Sequence, residues 1–417
     1  MAYINRFIEN QILSLSKMFP VVMLTGARQV GKTTILKHMM KDLKIKSFVS
    51  LDDINERSLA INDPKLFLET HPYPLIIDEF QYAPNLLPYI KMTVDDLRFK
   101  NLNDSTIKCN GIYYLTGSQN FLSMKNLTES LAGRVGIQDM LPLSKREIYA
   151  YDNIFFNIEK VDVQKYEKSK CDTIIKIFEN IFLGGYPELI ERKIEKESFF
   201  SAYVKTYIER DIRSLIKIKD EIKFNNFLID IAARTGQELN YNSIANDVEV
   251  SIPTIKEWIS ILYNSGIIYL LYPYYENTIK RIVKRPKVYF LDTGLATYLT
   301  RYPSADVLMK SSYAGAIFET YIISEIIKSH LNNGKSLENF YYYRDNSKNE
   351  IDLLYEINGT LYPIEIKKSS NPTKSFIKSF NVINDTKKKQ GNGMVICQYD
   401  HIMPIDKNNL SFPASFI

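Results

Sequence analysis

The stretch LTGARQVGKTTIL, Leu24 to Leu36, decides the fold of the first third of the chain. It continues the apolar run Val21–Met23, which is rich in β-branched residues and reads as a buried parallel strand. It leads into Thr34–Met40, which has helical character. Strand, glycine loop and helix stand in the order that a phosphate-binding loop requires. The loop comprises Gly26, Ala27, Arg28, Gln29, Val30, Gly31, Lys32, Thr33 and Thr34, and its glycines let backbone N–H groups wrap phosphates at a helix N-terminus. Lys32 supplies a point charge to the β- and γ-phosphates, and the Thr33 hydroxyl is a ligand for Mg²⁺. ATP and Mg²⁺ are therefore the expected cofactors. A chance glycine turn is the competing reading, and the flanking strand and helix argue against it.

Such a loop needs an acid at the end of a neighbouring strand. PLIIDEF, residues 74–80, provides an apolar strand ending in Asp78 and Glu79. Asp78 is expected to hold the Mg²⁺ shell, and Glu79 to orient and deprotonate the attacking water. A third strand in GIYYLTGSQNF, residues 111–121, ends at Ser118 and Gln119, where ligands bind in open parallel sheets. Gln119, or Ser118, is the candidate γ-phosphate sensor; a plain turn is the alternative. Arg134, next to Gly133 in SLAGRVG, is either an arginine finger for a neighbouring subunit of a homo-oligomer or a surface turn residue.

TGARQVGKTT, IIDEFQYAP, LTGSQ and LAGR together resemble the bacterial and archaeal AAA-type ATPases that carry an uncharacterised C-terminal domain. FLGGYPEL, YIERDI and YFLDTGLATYL extend the resemblance over essentially the whole chain. It implies an α/β protein that begins with a P-loop ATPase domain.

Composition sets bounds on the rest. The 417 residues suffice for two or three domains, and 45% hydrophobic with 24% charged residues is ordinary globular content. A net charge of +5 is too mild to imply a polyanionic partner by itself. Three cysteines and four histidines are scattered, with neither a disulfide framework nor a zinc set, as expected in a reducing cytoplasm. No run approaches the ~18 apolar residues of a spanning helix, so no membrane association is expected.

The ATPase domain is expected to cover 1–151, followed by a polar, irregular stretch over 152–172 and amphipathic helices, together a helical lid or linker over 152–222. Arg210 and Asp211 within it read as an ion pair or an ATPase contact. Residues 223–292 run helix, short helix, turn, helix, strand and basic hairpin, the order of a winged helix. Lys280, Arg281, Lys284, Arg285 and Lys287 could pair with DNA phosphates, while Lys256, Glu257 and Trp258 leave the third helix only weakly basic. DNA is the expected partner; a protein-contact module with a solvated charged face is the alternative.

Residues 293–417 hold a second constellation. AGAIFETYIISEIIKSH, residues 314–330, reads as a helix with Glu319 toward its apolar face and Glu325 nearer the polar side. In EIDLLYEINGTLYPIEIKKS, residues 350–369, Asn358-Gly359 marks a hairpin turn. A two-residue loop pairs Ile357 with Thr360 and sets Asp352 opposite Glu365, with Lys367 on the same face. Two carboxylates ~5 Å apart, a lysine and a helical glutamate form a candidate site for a second divalent metal. The arrangement resembles the PD-(D/E)XK nuclease fold, although Ile351 stands where that motif has proline. The resemblance implies that Asp352, Glu365 and Glu319 bind metal while Lys367 positions water for phosphodiester attack. The competing reading is a structural cluster in which Lys367 neutralises the acids.

The expected function is Mg²⁺-dependent ATP binding and hydrolysis coupled to a DNA-handling unit with a metal-dependent nuclease domain, suited to genome defence or mobile-element maintenance. The alternative is an ATP-dependent switch or protein remodeller whose nuclease-like domain is inactive.

Overall fold

The computed structural model describes residues 3–117, 130–167, 171–206, 220–276, 284–345, 347 and 349–417. Gln119, Ser118, Lys280, Arg281, Arg210 and Asp211 lie outside them.

Apolar runs in the first third form five parallel strands: β1 (Val21–Thr25), β2 (Ser47–Ser50), β3 (Leu75–Asp78), β4 (Tyr113–Thr116) and β5 (Val135–Asp139). Their order in the sheet is β2-β3-β4-β1-β5. β1, β3 and β4 are buried at every position, which explains why they read as unbroken apolar runs. Alternate residues of β1 feed two cores: Val21 and Met23 pack with Leu75 and Ile77, Val22 and Leu24 with Ile76 and Tyr114. Because the strands are parallel, Thr25, Asp78 and Thr116 end at one edge of the sheet.

The stretch expected to be an irregular linker is tied down. Phe156, Ile158 and Tyr166 are buried, and Tyr166 packs edge-on against Phe412 near the end of the chain. Helices follow at Ile174–Leu183, Pro187–Arg192 and Lys196–Tyr203. Gly184 (φ 81°) and Gly185 join the first two; a Cβ on Gly185 would lie 2.3 Å from the Leu143 carbonyl oxygen, so only glycine permits this approach.

Three helices, Glu221–Ala233, Tyr241–Val248 and Ile252–Asn264, precede an antiparallel pair, β6 (Ile268–Leu271) and β7 (Lys287–Phe290). Side chains of Asp220, Asn240 and Ser251 cap the three helices. Trp258 is buried and meets Phe224 and Phe227 edge-on, so it is core rather than recognition surface.

The remaining residues form helix Ala314–Asn332 and a mixed sheet of β8 (Phe340–Arg344), β9 (Glu350–Ile357), β10 (Thr360–Ile366), β11 (Lys389–Gln390), β12 (Gly393–Cys397), β13 (Met403–Pro404) and β14 (Asn409–Pro413). β9 and β10 pair antiparallel with Ile357 opposite Thr360, through to Leu353 opposite Ile364, the register that the Asn358-Gly359 turn sets. One expectation fails here. Glu325 is buried, 4% exposed, rather than on a polar face. The helix is covered on that side by Leu143–Arg146: Glu325 accepts from the Lys145 backbone N–H at 2.8 Å and pairs with Lys328 at 2.7 Å.

Candidate functional site

At the carboxyl edge of the parallel sheet, the chain leaves β1 at Gly26 with φ 140°, and a Cβ there would lie 2.1 Å from the Met140 carbonyl oxygen. The loop therefore rests on the backbone that ends β5. Gly31, in the left-handed region, precedes helix Lys32–His38. Lys32 is buried, and its ammonium donates to the Gly26 and Ala27 carbonyls at 2.9 and 2.8 Å. Burial pushes its pKa down to about 8, against the pull of Glu79 and Asp78.

Asp78 organises the neighbouring strand ends. Its Oδ1 accepts from Thr33 Oγ1 at 2.7 Å and from Thr116 Oγ1, and its Oδ2 from Ser50 Oγ at 3.4 Å. Thr116 Oγ1 also accepts from the Glu79 N–H at 3.2 Å. Glu79 has φ 53°, a left-handed backbone that turns its carboxylate away from the strand, where it accepts from Gln81 Nε2. Thr33, Asp78 and Glu79 are thus gathered as the sequence pattern requires. Thr116 was missed, yet the register of β4 on β3, with Leu115 beside Ile77, sets it next to Asp78.

A cavity of about 580 Å³ lies over this loop. Its floor includes Gln29, Gly31, Lys32, Thr33 and Thr34, with Glu79 at one side. Pro187, Glu188, Glu191 and Arg192 also line it, none of which the sequence reading assigned to the site. Arg192 pairs with Glu188 at 2.8 Å. Tyr3, stacked on His38 with centroids 3.7 Å apart, and Ile4 and Leu143 add an apolar margin. The donor set fits the expected cofactors: backbone N–H groups and Lys32 for phosphates, Thr33 and Asp78 for Mg²⁺.

Arg134 does not line this cavity. It precedes β5 at the opposite edge of the sheet, where its guanidinium is bidentate on Asp95 at 2.7 and 3.0 Å. The Asp95 pairing describes Arg134 within one subunit, and a role toward the triphosphate of a neighbouring subunit stays a proposal.

The second constellation also assembles, but with an added member. Asp352 and Glu365 are 5% and 6% exposed. Lys367 Nζ lies 2.5 Å from Glu365 Oε1 and 3.5 Å from Asp352 Oδ2. Asp352 Oδ2 accepts from the Ile366 N–H at 2.8 Å. Glu319 accepts from Tyr289 Oη at 2.6 Å. Lys287, expected among the DNA-facing cations, is instead 3% exposed, with its ammonium 3.1 Å from Glu319, 2.6 Å from Glu350 and 3.9 Å from Asp352. Lys284 and Arg285 remain exposed. Burial, with Asp352 nearby, pushes Glu365 up to about 8, and burial pushes Glu319 up to about 7 against the pull of Lys287. Burial opposes the Lys287 charge, but Tyr289, Glu319, Asp352 and Glu350 outweigh it and hold the ammonium charged. Among the described residues, no three acid, histidine or cysteine side chains are set to hold a metal ion. The expected second metal site at Glu319, Asp352 and Glu365 is not shown: in this arrangement these carboxylates pair with the Lys287 and Lys367 ammonium groups.

Comparison with known proteins divides the chain. Residues 18–149 match a family model described as an AAA domain. Residues 175–306 and 314–417 match two models described as domains of unknown function, DUF8612 and DUF4143. An uncharacterized protein of Mycobacterium tuberculosis is 26% identical over 85% of this chain and 71% of its own length. An uncharacterized protein of Methanocaldococcus jannaschii is 25% identical over 87% of this chain and 80% of its own. A solved structure described as a Walker-type ATPase of Pyrococcus abyssi covers 71% of this chain and 96% of its own at 14% identity, with a TM-score of 0.41, too low to carry structural kinship. Among the described residues no helix is long and apolar enough to cross a membrane. The AAA-domain match, on residues that contain the strand, loop, helix and acid pair described above, supports a P-loop ATPase domain with ATP as its ligand.

Proposed function

We propose that the chain hydrolyses Mg²⁺-ATP and uses the cycle to act on a nucleic-acid or protein partner through its last two-thirds. The observation that carries the ATPase reading is the linked set Thr33–Asp78–Thr116, bonded onward to the Glu79 N–H, with Thr33 and Glu79 both lining the loop cavity. Lys32 and the loop N–H groups would bind the triphosphate. Thr33 and Asp78 would hold Mg²⁺, which neutralises charge on the phosphate oxygens. Glu79, which lines the cavity, would orient and deprotonate water. The Pro187–Arg192 helix walls the same cavity, so nucleotide contacts reach beyond the first domain. Release of phosphate from ATP is the test. Glu79→Gln should retain nucleotide binding and lose turnover by about 10²-fold or more, and Asp78→Asn should lose Mg²⁺-dependent turnover. Unchanged hydrolysis in both would remove the assignment.

For the partner, three helices followed by a hairpin with exposed Lys284 and Arg285 favour DNA contact by a winged-helix module. Replacing both cations by alanine should lower the salt slope of DNA binding by about 1 per lysine or arginine removed. An unchanged slope would leave protein contact as the reading. For the C-terminal domain, Lys287 among the acids favours an ATP-driven switch with a nuclease-like fold that does not cleave in this arrangement. Robust Mg²⁺- or Mn²⁺-dependent nicking by the unaltered protein, abolished by Lys367→Ala, would restore the nuclease reading.

A further inference from the structure

We propose that Asp292 is a positioning residue for the nucleotide cavity, setting nucleotide affinity through its hold on the Gly185 turn from which helix Pro187–Arg192 starts. The inference rests on reading the loop cavity as a nucleotide site. It adds what fixes the part of that cavity lying outside the AAA-domain match, namely Pro187, Glu188, Glu191 and Arg192. Asp292 is not among the lining residues; it follows β7 and is 3% exposed. Its Oδ1 accepts from the Leu295 N–H at 2.8 Å and so caps helix Thr293–Leu299. Its Oδ2 accepts from the Gly185 N–H at 2.7 Å. One buried carboxylate is thus divided between a local cap and a turn 107 residues earlier in the chain.

The turn is also held from the first domain. The Gly185 carbonyl accepts from the Leu143 N–H at 2.7 Å, and Leu143 itself lines the cavity. A Cβ on Gly184 would lie 2.5 Å from Asp292 Oδ1, and one on Gly294 2.3 Å from the Leu183 carbonyl oxygen, so glycine lets the carboxylate and the turn meet. Without the Oδ2 acceptor, the buried Gly185 N–H loses its partner, and the turn must shift to find another. The helix that starts two residues later shifts with it, and carries Glu188, Glu191 and Arg192 relative to Lys32 and Thr33. The phosphate loop, Asp78 and Glu79 belong to the parallel-sheet domain and keep their own bonds. Affinity should therefore change while the hydrolytic geometry stays. Loss of binding that is equal in ground and transition states raises KM and spares kcat.

The test is calorimetric binding of a non-hydrolysable ATP analogue with Mg²⁺ to the full chain, with phosphate release from ATP measured on the same samples. Asp292→Asn offers one oxygen to two N–H donors. Analogue affinity should fall roughly tenfold and the KM for ATP rise in step, with kcat within about twofold of the unaltered protein. Asp292→Ser, whose hydroxyl suits the helix cap but is too short to reach the turn as well, should show the same loss. If Asp292→Asn does not fold, Asp292→Ser decides. Unchanged analogue affinity in the folded variant would overturn the proposal, whether or not kcat falls. A merely structural role would lower the bound stoichiometry at unchanged affinity, and that outcome counts against it too. Absence of analogue binding by the unaltered protein would instead refute the nucleotide reading, so the two failures are distinct.

Discussion

The Arg6 guanidinium lies 3.0 Å from the Glu147 carboxylate, and both side chains are buried, 4% and 0% exposed. The same guanidinium donates to the Val30 carbonyl at 2.9 Å and the Leu141 carbonyl at 2.7 Å. One cation therefore joins the N-terminal segment, the phosphate loop and the chain leaving β5. Arg6→Ala strands the Glu147 charge and two backbone acceptors, and should cost about 3–5 kcal/mol. Urea unfolding checks this, and a loss under about 1 kcal/mol would show that water compensates the pair.

Thr116→Val keeps the shape of the side chain and removes the hydroxyl between Asp78 and the Glu79 N–H. ATP binding should persist while hydrolysis falls about 10- to 100-fold, as for other groups that orient a metal ligand. Unchanged turnover at saturating ATP would assign Thr116 to packing alone.

Lys32 in the ligand-free protein loses its proton as pH rises through about 8, because burial disfavours the ammonium. Triphosphate favours the charged form, so binding takes up that proton above this pH. Apparent ATP affinity should be flat below pH 8 and weaken roughly tenfold by pH 9. Isothermal titration in buffers of different ionisation heat reads both the affinity and the proton uptake.

Glu319 and Glu365 titrate near 7 and 8 when folded, above the ordinary carboxyl value of 4.5. The folded protein then holds protons that the unfolded chain has released, between about pH 4.5 and 8. Their stabilising contribution is complete below that window and is lost as pH rises through 7 to 8. Stability measured from pH 5.5 to 8.5 should decline through this range, and Glu319→Gln should flatten the decline. An equal slope in that variant would place the titrating groups elsewhere.

Local rules made much of this fold legible. The strand, glycine loop and acid pair follow from residue types in sequence order, and Asn358-Gly359 fixed the β9–β10 register that sets Asp352 near Glu365. Lys287 was misread because it sits in a basic run, and such runs commonly form solvated faces. Its tell was its place in KVYF, a strand buried at every position. Glu325 was misread for a related reason: helix periodicity marks one covered face, whereas helix Ala314–Asn332 is covered on more than one by distant residues such as Lys145. The Pro187–Arg192 wall of the cavity carries no motif and owes its position to tertiary packing.

Gly26 rests on the Met140 backbone, and the next residues of that strand's exit are Leu141 and Leu143, whose carbonyls accept from Arg6 and Lys328. Lys328 belongs to the helix that also presents Glu319. From the phosphate loop to the helix that bears Glu319, the described residues thus form a short series of direct contacts. Tension applied at one end has few places to dissipate before it reaches the other.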